Sequence, residues 1–442
     1  MVYYYKSLFT SIEGSVSASM LECVPTMIDE EMNVALCKEF EAWEVISALQ
    51  QMTPLKAPGP YGMSSLFYQL FWSTVNHYVT SSILSWLNSG TIPSPLNHTY
   101  ITLVPKINSP EYAHQFRPIS LCNVLYKIYS KVLANHLKKK ILPSIIIEHQ
   151  LAFTKERLIS DNILVAFETL HSMKNYKEGS YGYMTLKLDM SKSYDWVEWY
   201  YLKDIMRKMG FRERLINLVM GCVKIVSYFV LVNGDPYGMI FPTKGIKQGD
   251  PLSPFLFLLC MEWLNGLIKK AELQGDIHGY SLCRRGPKLT HLLFANDSLI
   301  FYRSTMEECD KVLDLLHKYE QASGQKVNRS KTSLFFRNFV PNEVKHGIKV
   351  KLGVPEIRNY EKYLGLPSLV GKRKKESFNF IKEKVWRKTS RVGSHPSLKV
   401  VIQAIPTYTM GCFKLPISLC NEIESLIKKF WWGQQGDRRE IH

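Results

Sequence analysis

Nothing in this 442-residue chain is both long and apolar enough to be a membrane helix. The longest strongly apolar stretch, Phe255 to Cys260 with its flanks, falls far short of the ~20 residues a span needs. The N-terminus, MVYYYKSLFTSIEG, lacks the apolar core of a secretory signal. The nine cysteines are odd in number, widely scattered and contain no CxxC pair, which argues against a structural zinc site and for reduced thiols. No repeat or low-complexity segment interrupts the chain. The expectation is an intracellular protein of cytoplasm or nucleus, neither secreted nor membrane-bound. Acid is also scarce: 39 Asp and Glu stand against 56 Lys and Arg, a net charge of +17.

What is present points to a globular protein. The apolar fraction is 46% and the charged fraction 21%, which excludes a disordered chain. The length suggests two or three compact units. The basic surplus fits a polyanionic partner as well as a merely soluble basic protein. It is concentrated late, since residues 341 to 442 hold 20 Lys and Arg against 9 acids, or +11 of the +17. Lys372, Arg373, Lys374 and Lys375 form a run there, readable as a solvated helix face or as a phosphate-tracking surface.

Turn signals and periodicity order the rest. The first 50 residues read as a helical lead-in, and KAPGPYG at Lys56 to Gly62 as a rigid loop. Ser64 to Leu87 reads as helix, Tyr100 to Val104 as strand and Leu121 to Lys140 as a basic helix. In MTLKLDM, Met184, Leu186, Leu188 and Met190 alternate with Thr185, Lys187 and Asp189, a half-buried strand with Asp189 on its polar face. A four-turn helix, Lys192 to Met209, is expected next, ending at Gly210. HLLFANDSLIFY reads as two strands joined at Asn296 and Asp297. Leu419, Ile423, Leu426, Ile427 and Phe430 share one helical face, with Ser418 available as N-cap. The mixture of helices and strands indicates an α+β or α/β core with a helical, basic C-terminal unit.

Asp189 and Asp297 are candidates for hard divalent cations if their strands are neighbours, although a strand-end cap and a turn residue are the plainer roles. In KGIKQGDPLSP, Lys244 to Pro254, Gly245 and Gly249 permit close backbone approach, and Ser253 with Pro254 resembles an N-cap and first turn. A loop feeding a helix N-terminus suits phosphate contact, and the two lysines flanking Gly245 add to that reading.

Taken in order, KLDMSKSYDWVEW, KGIKQGDPLSPFLFLL, HLLFANDSLIF and KYLGLPSLVGKRK resemble the successive palm motifs of the reverse transcriptases of plant non-LTR (LINE-type) retrotransposons. KAPGPYG, FRPISLCNVLYKIYSKVLANHLK and EHQLAFTKERLISDNILVAFE are similar to that family's finger motifs, and VIQAIPTYTMGCFKLPISLCNEIESLIKKFWWG to its thumb-side segment. The resemblance implies an α+β right-hand polymerase fold with an antiparallel palm sheet backed by helices. Its parts would be a lead-in over 1–49, fingers with palm elements over 50–180, palm over 181–345, and primer grip with a truncated basic thumb over 346–442. It implies RNA-directed DNA polymerase chemistry on an RNA template, a DNA primer and deoxynucleoside triphosphates, with two Mg²⁺ ions, or Mn²⁺, at Asp189 and Asp297.

The same resemblance assigns the remaining roles. Met190 would offer its carbonyl beside the metals, and Tyr194 would close the sugar pocket against a 2′-hydroxyl, unless it is a core tyrosine of the following helix. Lys106 and Arg117 would clasp the triphosphate. Gln248 and Gly249 would support template base and nucleotide, and Lys331, with Lys326 as competitor, would protonate the leaving pyrophosphate. Tyr363, Leu364 and Gly365 would belong to the primer grip, beside the basic run from Lys372 to Lys375.

The chain departs from this pattern at Asn296, where the family has the first of two adjacent aspartates. An amide oxygen coordinates a cation but carries no charge, so the formal carboxylate charge of the site falls from −3 to −2 and activity is expected to be crippled. Tyr61, Glu156 and Trp196 replace a family Asp, Gly and Arg. Three of these four changes are reachable by one transition in the DNA, which suggests a decayed copy. The absence of an endonuclease segment and of a zinc knuckle after Trp432 suggests a fragment. The alternatives carried forward are an active or residually active polymerase, a catalytically inactive RNA- and DNA-binding remnant, and, least favoured, an intron-maturase-like protein.

Overall fold

The computed structural model describes residues 1–11, 21–140, 142–146, 150, 152, 157–175, 182–283, 286–337, 340–356, 362–371, 373–391 and 396–431. Glu156 and Lys372 lie outside the described residues, as does the chain beyond Trp431. Among the described residues no helix is long and apolar enough to cross a membrane.

The chain opens with α1 (Val2–Leu8), α2 (Glu30–Leu36), α3 (Ala42–Gln50), α4 (Ser65–Leu70) and α5 (Trp72–Ser89). The expected Ser64–Leu87 helix is thus divided at Phe71, and it runs on to a left-handed Gly90 cap. Then come β1 (His98–Pro105), β2 (Phe116–Cys122), α6 (Val124–Lys140), α7 (Leu142–Ile145) and α8 (Ile159–Asn175). The basic helix starts at Val124, because Leu121 and Cys122 are the end of β2 and pair with Tyr100 and Thr99. Next are β3 (Tyr183–Ser191), α9 (Trp199–Lys208), α10 (Glu213–Lys224), β4 (Ser227–Val232), β5 (Asp235–Ile240) and α11 (Ser253–Leu273). The rest comprises β6 (Tyr280–Ser281), β7 (Lys288–Leu289), β8 (His291–Phe294), β9 (Asp297–Arg303), α12 (Met306–Ser323), β10 (Lys326–Val327), β11 (Ser333–Phe336), α13 (Asn342–Leu352), β12 (Lys362–Tyr363), β13 (Leu366–Pro367), α14 (Lys374–Arg391), α15 (Pro396–Met410) and α16 (Ile417–Trp431).

These elements sort into two compact units. The first comprises residues 1–157, 188–278 and 307–331; the second comprises 158–187, 279–306 and 332–442. In the first, a four-stranded sheet runs β2-β1-β4-β5, antiparallel except for the parallel β1–β4 pair. Its core includes α11, which is buried from Phe255 to Ile268 and apolar there except at Glu262, Asn265 and Gly266, as a helix packed on all sides largely must be. Around it Tyr201, Trp263 and Tyr319 pack as a buried aromatic triad, and the Tyr201 hydroxyl donates to the Cys260 carbonyl.

In the second unit, Met184 to Lys187 of β3 pair antiparallel with Phe336 to Ser333 of β11, and β9 lies between β3 and β8 in the sheet order. Ala166, Leu170 and Met173 of α8 cover Leu292, Leu299, Phe301 and Tyr363. The last three helices, with Leu415 from the connection between α15 and α16, form a separate core of Phe378, Ile381, Val385, Ile402, Leu415, Leu419 and Ile423. The expected apolar face of α16 is present, but Ser418 lies inside the helix, which begins one residue earlier behind Pro416. Mixed sheets with covering helices bear out an α/β mixture.

Candidate functional site

In the first unit the site is built outward from β3. Leu188 and Met190 are buried while Asp189 and Ser191 are half-buried, the alternation a strand with one polar face requires. Met190 and Ser191 pair with Val327 and Lys326 of β10, which leaves Lys326 paired through its backbone in a strand. The following residue, Asn328, closes on Asp189 twice: its N–H donates to the Asp189 carbonyl at 2.8 Å and its side-chain amide donates to Oδ2 at 3.0 Å. Asn328 thereby fixes the carboxylate's orientation with a neutral donor. Sequence reading passed over it, although it sits three residues before the singled-out Lys331.

Beyond Ser191 the backbone turns sharply at Lys192, which has φ 47°. The expected helix from Lys192 does not form, and α9 begins only at Trp199. The physical reason lies in tertiary bonding: the Tyr194 and Val197 carbonyls accept N–H groups of Ile246 and Gly245, at 2.9 and 2.8 Å, in place of intrahelical partners. Tyr194 therefore belongs to a turn, with its ring stacked on Phe257 at 5.1 Å and 6°. Burial raises its hydroxyl pKa to about 12.

The loop from Lys244 to Leu252 is tied to this turn. Gly245 has φ 91°, and a Cβ there would stand 2.7 Å from the Asp195 carbonyl oxygen. Gly249 has φ 111°, and the neighbouring Gln248 carbonyl accepts the Ser120 N–H of β2 at 2.7 Å. The Gln248 side chain donates to Asp195 Oδ1 at 2.9 Å. The two lysines flanking Gly245 are accounted for without phosphate. Lys244 lies 3.7 Å from Glu198. Lys247 is buried, donates to Asn97 Oδ1 and rests 3.5 Å over the Tyr126 ring, whose hydroxyl donates to Asp250 at 2.9 Å. Burial lowers the Lys247 pKa. Ser253 is the first helical residue of α11 rather than its cap, a place Leu252 takes.

Asp195 is as deeply buried as Lys247, only 2% exposed. Its Oδ2 has no hydrogen-bond partner. Burial pushes its pKa up to about 6 against the opposing pull of Lys192, Gln248, Lys106 and Arg117. Lys106, at the end of the β1–β2 hairpin, donates to the His114 carbonyl at 3.0 Å. Partial burial, followed by the Lys192 ammonium, lowers its pKa to about 8, and Lys331 contributes in the same direction. Lys331 is exposed in the turn closed by its own N–H on the Asn328 carbonyl, and Arg117 is exposed on β2. Within one unit, then, the fold assembles Asp189, Met190, Tyr194, Gln248, Gly249, Lys106, Arg117 and Lys331 from segments distant in sequence, and adds Lys192, Asp195 and Asn328.

The second unit holds the other expected residues. Phe294 pairs with Asp297 across the β8–β9 hairpin, so the turn residues are Ala295 and Asn296, one position earlier than expected. Asp297 opens β9, and Ala295 is left-handed with φ 52°, a strained state for a residue with a Cβ. Tyr363 is buried, and its hydroxyl donates to Asn162 Oδ1 at 2.9 Å while the Asn162 amide donates to the Leu293 carbonyl at 3.1 Å. Burial and Asp297 raise the Tyr363 pKa. The surface of this segment is the Leu364–Gly365 turn, both residues at positive φ. Arg373, Lys374 and Lys375 are exposed; Arg373 pairs with Glu376, and Glu422 is clamped by Lys375 and Lys382 at 2.6 and 2.7 Å.

Among the described residues no three His, Cys, Asp or Glu side chains form a metal-holding group. Asp189, Asp297, Asn296 and the Met190 carbonyl are all hard oxygen donors, the chemistry Mg²⁺ prefers, so the residue types fit that ion.

Comparison with known proteins adds a family. The profile described as reverse transcriptase (RNA-dependent DNA polymerase) matches residues 104–381, well over half of the chain. A 149 kDa protein of transposon TX1 from Xenopus laevis is 24% identical over 333 residues, 75% of this chain and 24% of its own length. A Pol polyprotein of the retrotransposable element R2 from Nasonia vitripennis is 25% identical over 302 residues, 68% of this chain and 27% of its own. An uncharacterized mitochondrial protein of Arabidopsis thaliana is 47% identical over 68 residues, 15% of this chain and 56% of its own. The chain thus spans about a quarter of the two transposon proteins and just over half of the third.

Proposed function

We propose that this chain, which belongs to the reverse transcriptase family, is the RNA-directed DNA polymerase domain of a non-LTR retrotransposon of the R2/TX1 type, weakened at its metal site. The reading divides it into fingers over 50–180, palm over 181–345 and thumb over 346–442, inside the cell. The short, closer match to the Arabidopsis protein favours a plant source. The observation that carries the reading is the gathering of Gln248, Lys106 and Arg117 about the buried Asp195, in the unit that also holds Asp189 and Tyr194.

In this mechanism Lys106 and Arg117 bind the triphosphate of the incoming deoxynucleotide, Arg117 through its planar fork. Tyr194, held flat on Phe257, presents a rigid wall where a 2′-hydroxyl would have to fit. Gln248 and Gly249, fastened to β2 and Asp195, support the pairing base. Lys331 delivers a proton to the departing pyrophosphate. Two Mg²⁺ ions, held by Asp189, Asp297 and the Met190 carbonyl, would activate the primer 3′-hydroxyl and stabilise the leaving oxygen. RNA template and DNA primer would run along the turn at Leu364 and Gly365 and the basic residues from Lys372 to Lys375.

A second reading, a catalytically silent binding remnant, is favoured specifically by Asn296. Primer extension on an RNA template with Mg²⁺ or Mn²⁺ separates the two. Restoring a carboxylate by Asn296→Asp is expected to raise the rate by about a hundredfold or more, on the scale of removing a directly acting charge. Equal rates for both chains would sink the claim of a weakened site, and no extension by either would favour the remnant.

A further inference from the structure

Lys192 is a cation of this region that no part of the mechanism uses. It sits three residues after Asp189, at the left-handed kink that ends β3. Its Nζ is buried and has no hydrogen-bond partner; the aromatic face of Tyr4 stands 5.6 Å away. The second cation of the cluster, Lys106, is close enough for the Lys192 ammonium to lower its pKa. The carboxylate of Asp195, on which both charges act, is also incompletely satisfied, with Oδ1 occupied by Gln248 and Oδ2 unpartnered.

The charge balance is informative. Lys106, Lys192 and Arg117 all act on the single carboxylate of Asp195, and Lys331 adds its charge to those felt by Lys106. Cations crowded into a partly desolvated place repel one another unless an anion is shared between them. A buried ammonium without an acceptor is a donor awaiting one. The ligand chemistry that answers both demands is a polyphosphate, whose oxygens would lie between Lys106 and Lys192 while Asp195 holds the lysines from behind. We infer that Lys192 is a direct ligand of the phosphates of the incoming nucleotide, forming with Lys106 a two-lysine clamp braced by Asp195. This inference rests on the polymerase reading for the identity of the nucleotide, but the clamp itself requires only a polyphosphate.

The test uses the full chain and two probes, inorganic tripolyphosphate and a deoxynucleoside triphosphate, with binding followed by calorimetry so that no turnover is needed. Lys192→Gln is expected to weaken both by about tenfold. Lys192→Arg should restore most of the loss, and Lys224→Gln, at the exposed end of α10, should change nothing.

A merely structural lysine would not alter the pH profile. In the unaltered chain, binding should fall as pH rises through about 8, where Lys106 loses its proton. The groups facing Lys106 are Lys192, Lys331 and Asp195. Removing the Lys192 charge relieves Lys106 and should carry that fall to higher pH. Equal affinity for Lys192→Gln and the unaltered chain, or no binding of either probe by the unaltered chain, overturns the inference. Loss of binding on Lys192→Gln together with an absence of primer extension, even after Asn296→Asp, would leave the clamp standing and remove the polymerase reading instead.

Discussion

A carboxyl group held at a pKa of about 6 destabilises the fold that holds it. Asp195 titrates near 3.8 when solvated and near 6 when folded, so the native state keeps its proton more tightly than the unfolded one. The sign follows directly: stability declines as pH rises from about 4 to 6, and the loss is complete above 6. Asp195→Asn keeps an acceptor for Gln248 and removes the buried charge. It is expected to stabilise the protein at pH 7 by about 2–3 kcal/mol and to flatten that part of the pH dependence, measured by urea unfolding across pH 4–8. A residue retained at such a cost belongs with function rather than packing. Its signal was visible in the sequence, since Asp195 falls inside KLDMSKSYD, but only burial and the bond to Gln248 reveal what it does.

At the scale of elements, what could be read early was whatever follows from local pattern. The alternation in β3 and the apolar face of α16 rest on side-chain periodicity, which the chain carries in itself. The turn at residues 192–197 was not legible, because its carbonyls bond to Gly245 and Ile246 some fifty residues away and local propensity has no access to such partners. The lysines beside Gly245 failed for a related reason. A lysine in a glycine-rich loop suggests an anion, whereas Lys247 is turned inward to Asn97 and the Tyr126 face. Replacing it by a residue of similar volume, Lys247→Met, leaves the Asn97 oxygen without that donor. The expected cost is about 2–3 kcal/mol in chemical denaturation, with polyphosphate affinity moved less than threefold. A large affinity loss at unchanged stability would return Lys247 to the ligand site.

For the whole molecule, the excess of 56 basic over 39 acidic residues acquires a partial address. Lys247 is spent on the interior, Lys375 and Lys382 on Glu422, and Lys106 and Lys192 on the proposed clamp. Lys384, Arg387 and Lys388 remain exposed along α14. If that helix follows a nucleic-acid backbone, the logarithm of the affinity for an RNA–DNA template–primer falls linearly with the logarithm of salt concentration. Changing those three residues to Gln should reduce the slope by about 2–3 without moving the thermal midpoint. An unchanged slope would assign the charge to solvation alone.

The division of the chain has a consequence for how the protein is made. The first compact unit needs residues 1–157, 188–278 and 307–331, and the second takes its parts from the intervals and the remainder. The break at Lys187 and Leu188 falls inside β3, so a single strand serves both. On the ribosome, the first unit cannot close until residue 331 has emerged, although more than half of its length is complete by residue 157. Trp263 of α11 packs on Tyr319 of α12, so part of the apolar surface of α11 stays uncovered until that last segment has emerged, a state that favours chaperone binding. A chain ending anywhere between 158 and 331 therefore carries only a part of each unit.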